Sequence, residues 1–356
     1  MEPQPAPPDP AAPRADSTAA RDAPRPRFVV HVVDVGTGLA VFVEGPDFTL
    51  VYDGGSNDDV AIGARNRFTA YLRAARPGLG SIDHVVLSHP HRDHVELLPD
   101  VVATHGARHV WDSGVVNPIC GYRRFVEAVA SAPSTRYHTA AHGEGMHEID
   151  FGRTLCKLPA VARVAHAAPI AEGVAMTLGD RSAMTFLHVD ATEHADGYNE
   201  NSLVTLLELD GGTVLLMGDA EAGGRHPTSS PPKPGSVEGR LLSRHAARLD
   251  ADVLVVGHHG SKTSSRKAFL DAVSPKVSVI SSGPARYGHV TLPDPEVVDE
   301  LRGRGELLRT DLDDAACAAN PGKIGPDADG QPGGCDHVRI ELHAGKVTAG
   351  YARLAD

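Results

Sequence analysis

The sequence predicts an α/β fold in which stacked sheets carry helices on their outer faces, built as one continuous domain. Three observations lead there. Apolar, β-branched runs of strand length come first in close succession and then alternate with helical patterns. Several of these runs stop abruptly on a polar residue: "VVLSH" at His89, "TFLH" at His188, "LLMGD" at Asp219 and "LVVGHH" at His258-His259. A chain of 356 residues with 41% hydrophobic and 22% charged residues also has enough apolar material for a large core.

The elements follow in order. Residues 1–27, "MEPQPAPPDPAAPRADSTAARDAPRPR", are rich in Pro and Ala, lack aromatics and read as a disordered tether; residues 28–356 read as the folded domain. "FVVHVVDVG" is a buried strand ended by "GTG", and "LAVFVEG" and "DFTLVYDGG" are two more. A helical pattern lies within 58–77, a strand at "HVVLS" and a helix over 94–104. "RHVWDSG" is a short strand and "GYRRFVEAVASA" a helix. Strands return around 148–158, 183–189, 202–209 and 213–217. A polar, Pro-rich loop spans 219–237 and includes "RHPTSSPPKPGS". "VEGRLLSRHAARL" is a helix, "ADVLVVGHHG" a strand, "SSRKAFLDAV" a helix and "KVSVISSG" a strand. "PDPEVVDELRGRG" is a helix with proline near its start, and "HVRIELHAGKVTAGYARL" is a hairpin turned at Ala344-Gly345.

Composition narrows the function classes. With 34 basic and 46 acidic residues the net charge is −12, which argues against coating nucleic acid by bulk electrostatics but not against gripping one phosphate with metal ions. No apolar run reaches about 18 residues, and the first 27 residues carry no apolar signal-peptide core. Two compartments stay open: the cytoplasm if Met1 is the natural start, or an exported or membrane-tethered location if a signal has been removed. None of the four cysteines forms a CxxC pair, so a cysteine zinc site is not expected. Cys317 and Cys335 flank "CAANPGKIGPDADGQPGGC" and are either unrelated thiols or a disulfide closing that loop, which would favour an oxidising compartment.

The chemistry concentrates in "SHPHRDH", residues 88–94. His89 and His91 lie two apart on a loop and can point to one side. Asp93 and His94 follow as the chain enters a helix. One pair suits one metal ion and the next pair a second, and imidazole with carboxylate suits Zn, Mn or Fe. Two ions roughly 3.5–4 Å apart, bridged by an aspartate and a hydroxide, are a standard device for hydrolysing phosphate esters.

"SHPHRDH" matches the HxHxDH signature of the metallo-β-lactamase superfamily. "HVVDVGTGLAVFVEG…TLVYDGG", "NENSLVTLLELDGGTVLLMGDAE", "DVLVVGHHGSKTSSRKAFLDAVSPKVSVISSG" and "RYGH…PDPEVVDELRGRG" follow in order. From about Phe28 to about Asp311 the chain resembles the metallo-hydrolase domain of ComEC-type competence proteins and its stand-alone relatives. The resemblance implies an αββα sandwich of metallo-β-lactamase type, with two mixed sheets packed face to face, helices outside and a dinuclear site at one edge. It implies His89 and His91 on the first metal, Asp93 and His94 on the second, and Asp219 bridging both. His258 or His259 completes the second site, with the strand length before the pair favouring His258. The third first-site histidine is His188, with His194 as its rival. Asp53, Gly54 and Gly55 support the site. Ser261 and Lys262 hold a phosphate oxygen or, alternatively, are a helix N-cap and a solvated charge. Tyr287 and His289 contact substrate or protonate a leaving group. Asp93, Asp219, His259, Lys262 and His289 are therefore the catalytic candidates.

Departures from the family pattern fall in the pocket. "DVGTGLA" has Leu39 where the family carries a carboxylate. "DHVELL" lacks the usual Gly-Gly, and "YGHVTLPDPE" lacks a second histidine. His105, His109, His138, His142, His147 and His166 have no motif around them and read as surface or satisfied histidines, and Arg123-Arg124 as a solvated helix face. The expected function is metal-dependent hydrolysis with two divalent ions, zinc or manganese, through a metal-bound hydroxide on a phosphodiester or other phosphate ester, nuclease-like. A phosphocholine-type esterase acting on a cell-surface polymer, and an inactive scaffold that keeps the fold, are the alternatives. The oligomeric state is left open.

Overall fold

Burial along the strands alternates as a two-sided core demands. In "GTVLL", Val214 and Leu216 face one layer while Leu215 faces another. The computed structural model describes residues 27–59, 61–195, 197–312 and 336–352. The tether reading of residues 1–26 and the pairing of Cys317 with Cys335 lie outside them.

In chain order the strands β1 (Phe28–Val32), β2 (Ala40–Glu44) and β3 (Thr49–Gly54) precede helix α1 (Arg67–Ala75). Then come β4 (Ile82–Leu87), α2 (Arg92–Val95), α3 (Leu98–His105), β5 (Ala107–Asp112), α4 (Cys120–Ala130), β6 (Arg136–Thr139), β7 (Gly145–Asp150), β8 (Val161–His166), β9 (Ala175–Gly179) and β10 (Ser182–His188). The second half holds β11 (Val204–Leu209), β12 (Gly212–Leu216), α5 (Val237–Arg244), β13 (Val253–Val255), α6 (Lys267–Val273) and β14 (Val277–Ile280). A small hairpin of β15 (Arg286–Tyr287) and β16 (Val290–Thr291), helix α7 (Pro295–Arg302), β17 (Glu306–Arg309), β18 (Val338–His343) and β19 (Lys346–Tyr351) close it.

Two large mixed sheets result. One runs β19-β18-β1-β2-β3-β4-β5-β6-β8-β7 and the other β17-β14-β13-β12-β11-β10-β9. Between them Val32, Tyr52, Val86 and Trp111 pack against Met184, Phe186, Leu207 and Val255. The Tyr52 hydroxyl crosses the sandwich to donate to the Leu203 carbonyl at 2.9 Å. Outside the first sheet, Phe42, Val51 and Val85 meet Phe68, Leu98 and Phe125 of the helices. Outside the second, Leu206 and Leu254 meet Leu241, Phe269 and Leu301. The αββα layering is the one the motif order implied.

Some expectations shift. The helix expected over 94–104 is two pieces, because the His91 loop starts α2 early and Leu97 interrupts it before α3. The strand expected near 148–158 is really the pair β7 and β8, and burial alternates exposed and buried along β8 because one of its faces packs on the core and the other meets solvent. Cys120, at the start of α4, is joined to Cys156 by a disulfide with Cα atoms 5.6 Å apart. No sequence spacing announced that pairing. Leu39, the position without its carboxylate, is buried in the inter-sheet layer.

Candidate metal centre

The loops that follow β4, β12 and β13 meet at one edge of the sandwich, and each is held there by apolar strand residues with no exposure. After β4 the chain leaves at Ser88. His91 is the N-terminal flanking residue of α2, so Asp93 and His94 fall in its first turn. After β12 the chain bends at Gly218, where φ is +54° and a Cβ would come within 2.8 Å of the Ser88 Cβ. Only glycine lets the two loops touch there, and it sets Asp219 against the histidines. After β13, His258 and His259 both take left-handed backbone conformations, φ 47° and 53°, in a tight turn spanning Gly257–Gly260. Such conformations cost energy and cluster at functional sites; here they turn two successive rings toward one aspartate.

The centre is nearly dry. His89 and His94 have no exposure, and Asp219 and His259 have 2–3%. The two carboxylate oxygens of Asp219 look in different directions. Oδ1 lies 3.1 Å from His94 Nε2 and 3.4 Å from His259 Nε2. Oδ2 lies 3.7 Å from His89 Nε2 and 3.9 Å from His258 Nε2. His259 Nε2 is 3.6 Å from Asp93 Oδ2, and His91 Nδ1 is 2.9 Å from His89 Nε2.

A second layer of hydrogen bonds sets the tautomers. Ser88 Oγ donates to Asp53 Oδ2 at 2.7 Å, so it accepts from His89 Nδ1 at 3.0 Å. His94 Nδ1 donates to Asp53 Oδ2 at 2.8 Å. His259 Nδ1 donates to the Ser281 carbonyl at 2.8 Å. His258 Nδ1 sits 3.1 Å from Glu221 Oε1 and 2.7 Å from Thr263 Oγ1. Each of these four rings thus has its Nδ1 held by a fixed partner and turns its Nε2 toward Asp219, the arrangement that orients metal-binding histidines.

Charge follows from burial and neighbours. Burial opposes a charge on Asp219, yet His94, His259 and His258 around it hold its carboxyl well below the usual range. Burial likewise opposes a charge on His94, but Asp219 and Asp53 on either side hold it well above an ordinary histidine. Burial, reinforced by His94, keeps His89 well below. Asp53 is pushed up by complete burial against the pull of His94 and Ser88. We place the shared proton on His94, because both Asp53 oxygens already accept from Ser88.

The residues fit metal ions. His89, His94 and Asp219 form one group whose ligand atoms all lie within 4.8 Å of one another, and Asp93, His94 and His259 form another. Asp219 Oδ1 is buried with no hydrogen-bond partner, as an atom meant for a cation would be.

Other expected residues lie elsewhere. His188 is not brought to the cluster. Its Nδ1 donates to the Ser202 carbonyl at 3.0 Å, and its Nε2 accepts from the Arg240 guanidinium at 3.3 Å, a cation where a ligand would need a metal. His194, the rival, pairs with Asp190 at 3.2 Å. His258 approaches the Oδ2 side of Asp219, whereas His259 lies in the Asp93 and His94 group, the reverse of what strand length favoured. The left-handed turn, invisible in the sequence, makes that exchange. Lys262 points to Glu296, 3.9 Å away, and His289 is exposed on the β15–β16 hairpin. Ser261 Oγ accepts from Arg225 at 3.2 Å. Tyr287 of that hairpin donates to Asp93 Oδ2 at 2.6 Å, beside Asn57 at 3.3 Å. Asn57, Glu221 and Asn199 were not picked out from the sequence. Asn57 follows "DGGS" and Glu221 follows "GDA", so nearness to a motif was their only signal.

The chain is similar to known proteins. Residues 33–155 and 183–283, more than half of the chain, match the model of the Metallo-beta-lactamase superfamily. Competence protein ComA of Neisseria gonorrhoeae is 29% identical over 294 residues, 82% of this chain and 32% of the relative. Recombination protein 2 of Haemophilus influenzae is 26% identical over 277 residues, 78% of this chain and 27% of the relative. The chain therefore spans about a third or less of these relatives. Among solved structures, the metallo-beta-lactamase fold protein YhfI of Bacillus subtilis aligns over 80% of this chain and 97% of its own, at 14% identity and TM-score 0.44. Zinc-bound PqqB of Methylobacterium extorquens aligns over 80% and 98%, at 12% identity and TM-score 0.41. With the ordered motifs, the fold and this match together, the chain belongs to the metallo-beta-lactamase superfamily.

Proposed function

We propose that the chain is a dinuclear metallo-hydrolase cleaving a phosphodiester or related phosphate ester. The observation that carries this reading is the division of Asp219: one oxygen toward His94 and His259, the other toward His89 and His258. A carboxylate so divided is the natural bridge between two ions. His89, His91, His258 and Asp219 would hold one ion, and Asp93, His94, His259 and Asp219 would hold the other. His188 is left out of both sets. When bound, two divalent ions, zinc or manganese, supply Lewis acidity and a water acidified to near-neutral pKa.

The chain's own groups do the rest. Asp53 holds His94 in its productive tautomer. Burial and Asp93 push the Tyr287 hydroxyl far up, so it stays protonated at any working pH and is an O–H donor at the mouth of the site. A cavity of about 490 Å³, lined by Asn199, Glu221, Lys233 and Arg240 among others, adjoins His258 through Asn199 and Glu221. Lys233 suits a flanking phosphate of a polymeric substrate, while Arg240 pairs with Asp190 at 2.7 Å and Glu200 and Glu221 line the same cavity. Likeness to proteins named for competence and recombination supports a nucleic-acid strand as that polymer.

The test is hydrolysis of bis-p-nitrophenyl phosphate by wild type and Asp219→Ala at matched metal content, followed by single-stranded DNA. Turnover by wild type that falls at least a hundredfold in the variant is expected. No turnover by a wild type carrying two ions would overturn the phosphate-ester reading, and a wild type that binds no ion would favour a scaffold.

A further inference from the structure

Three histidines gather away from Asp219. His142 follows β6, His147 lies on β7 and His166 on β8. Their ring centroids are 4.7 Å apart for His142 and His147, 4.8 Å for His147 and His166, and 5.0 Å for His142 and His166. β7 is the edge strand of the larger sheet and β8 its neighbour. Gly145 stands opposite His166 in register, so no side chain competes for the space beside that ring. A Cβ at Gly145 would sit 3.8 Å from His147 Nε2.

His166 is the anchor. It is 4% exposed, its Nδ1 meets Thr139 Oγ1 at 3.1 Å, and its Nε2 is buried without a hydrogen-bond partner. A buried ring nitrogen left unpaired is costly and asks for an explanation. His147 Nε2 donates to the Gly143 carbonyl at 2.9 Å, which leaves its Nδ1 as a lone pair. The His142 backbone N–H donates to the same Thr139 hydroxyl at 3.2 Å, so one side chain positions two members of the cluster. Burial, with His142 and His147 nearby, pushes His166 down to about 4. Burial and His147 lower His142 as well. Neutral rings at pH 7 are the form that binds metal.

We propose that His142, His147 and His166 form a separate site for one divalent transition-metal ion of the zinc type, held by three imidazoles with solvent in the fourth position. All-imidazole donors suit Zn, Cu or Ni and exclude Mg and Ca. His166 packs edge to face against both other rings while His142 and His147 stack on each other, and the nitrogens of the three are not all within 4.8 Å of one another. His142 in the β6–β7 connection and His147 on the edge strand are half-buried, so binding at His166 Nε2 would require only rotation about their side-chain bonds. His166, the anchor, lies in residues 156–182, which the family match leaves out, while His142 and His147 lie inside the matched residues 33–155.

The test counts ions. The full chain is dialysed to equilibrium against buffered zinc, and bound metal is measured by mass spectrometry. His147→Ala and the double variant His142→Ala/His147→Ala are expected to hold one ion fewer than wild type, with circular dichroism and phosphodiester hydrolysis unchanged. An ion that persists in Asp219→Ala but vanishes in Asp219→Ala/His147→Ala assigns it to this cluster independently of the hydrolytic centre. Equal zinc content in wild type and both histidine variants overturns the proposal, whatever the Asp219 variant does.

Discussion

Asp53 lies behind the histidines that face Asp219, yet it aligns them. It is fully buried, accepts from Ser88 twice and holds His94 by its Nδ1 proton. Asp53→Asn keeps the shape and removes the charge, so metal affinity at the centre is expected to fall about 10–100-fold, read by competition with a chromogenic chelator. His188 makes the opposite case. It ends a strand, as a ligand would, but Arg240 occupies its free nitrogen. His188→Ala is expected to keep the wild-type metal content and lose only stability, on the order of 1–3 kcal/mol for a buried, hydrogen-bonded ring. A variant that loses an ion would return His188 to the ligand set.

At the scale of elements, the hairpin of β15 and β16 and the disulfide matter most. Tyr287 reaches Asp93 from a two-stranded hairpin with little core of its own. Tyr287→Phe is expected to lower kcat more than it raises KM, because it removes a proton donor rather than a binding surface; an unchanged kcat would remove Tyr287 from the mechanism. The Cys120–Cys156 bond ties the start of α4 to the connection between β7 and β8, with a sequence separation of 36. Closing a loop of that length stabilises a fold by about 3–4 kcal/mol in the chain-entropy description. Reduction, or Cys156→Ser, is expected to lower the midpoint of urea unfolding accordingly, and an unchanged midpoint under reducing conditions would show that packing alone holds this edge.

For the molecule as a whole, acid is the weak side. Burial, then His31 and Arg67, pushes His337 down to about 3, and burial, then His109, pushes His84 down to about 4. Below the unfolded-chain value near 6.5, the unfolded state takes up a proton that each folded ring refuses. Their contribution is therefore intact above pH 6.5 and falls as pH drops, by about 1.4 kcal/mol per unit for fully buried His337 until pH nears 3. Chemical unfolding at pH 7 and pH 4.5 is expected to differ in that direction, and His337→Gln to flatten the difference. Equal stabilities at the two pH values would mean that these rings are protonated in the fold.

What could be read from the chain alone were its local periodicities and its motifs. Alternating apolar runs gave β1 to β4 and β10 to β12, and "SHPHRDH", "LLMGD" and "GHHG" marked the strand ends where polar groups gather. Such patterns are legible because period, turn residues and abrupt polar endings are properties of a few consecutive residues. The tertiary structure decided what depends on partners distant in sequence. Whether His188 faces Asp219 or Arg240 rests on where α5 packs. Whether His258 or His259 meets Asp93 rests on two left-handed residues in one turn. Cys120 finds Cys156, and His166 finds His142 and His147, only after β7 and β8 have folded back on the sheet edge. Sequence names the donors; the packing of the two sheets determines which lone pairs converge.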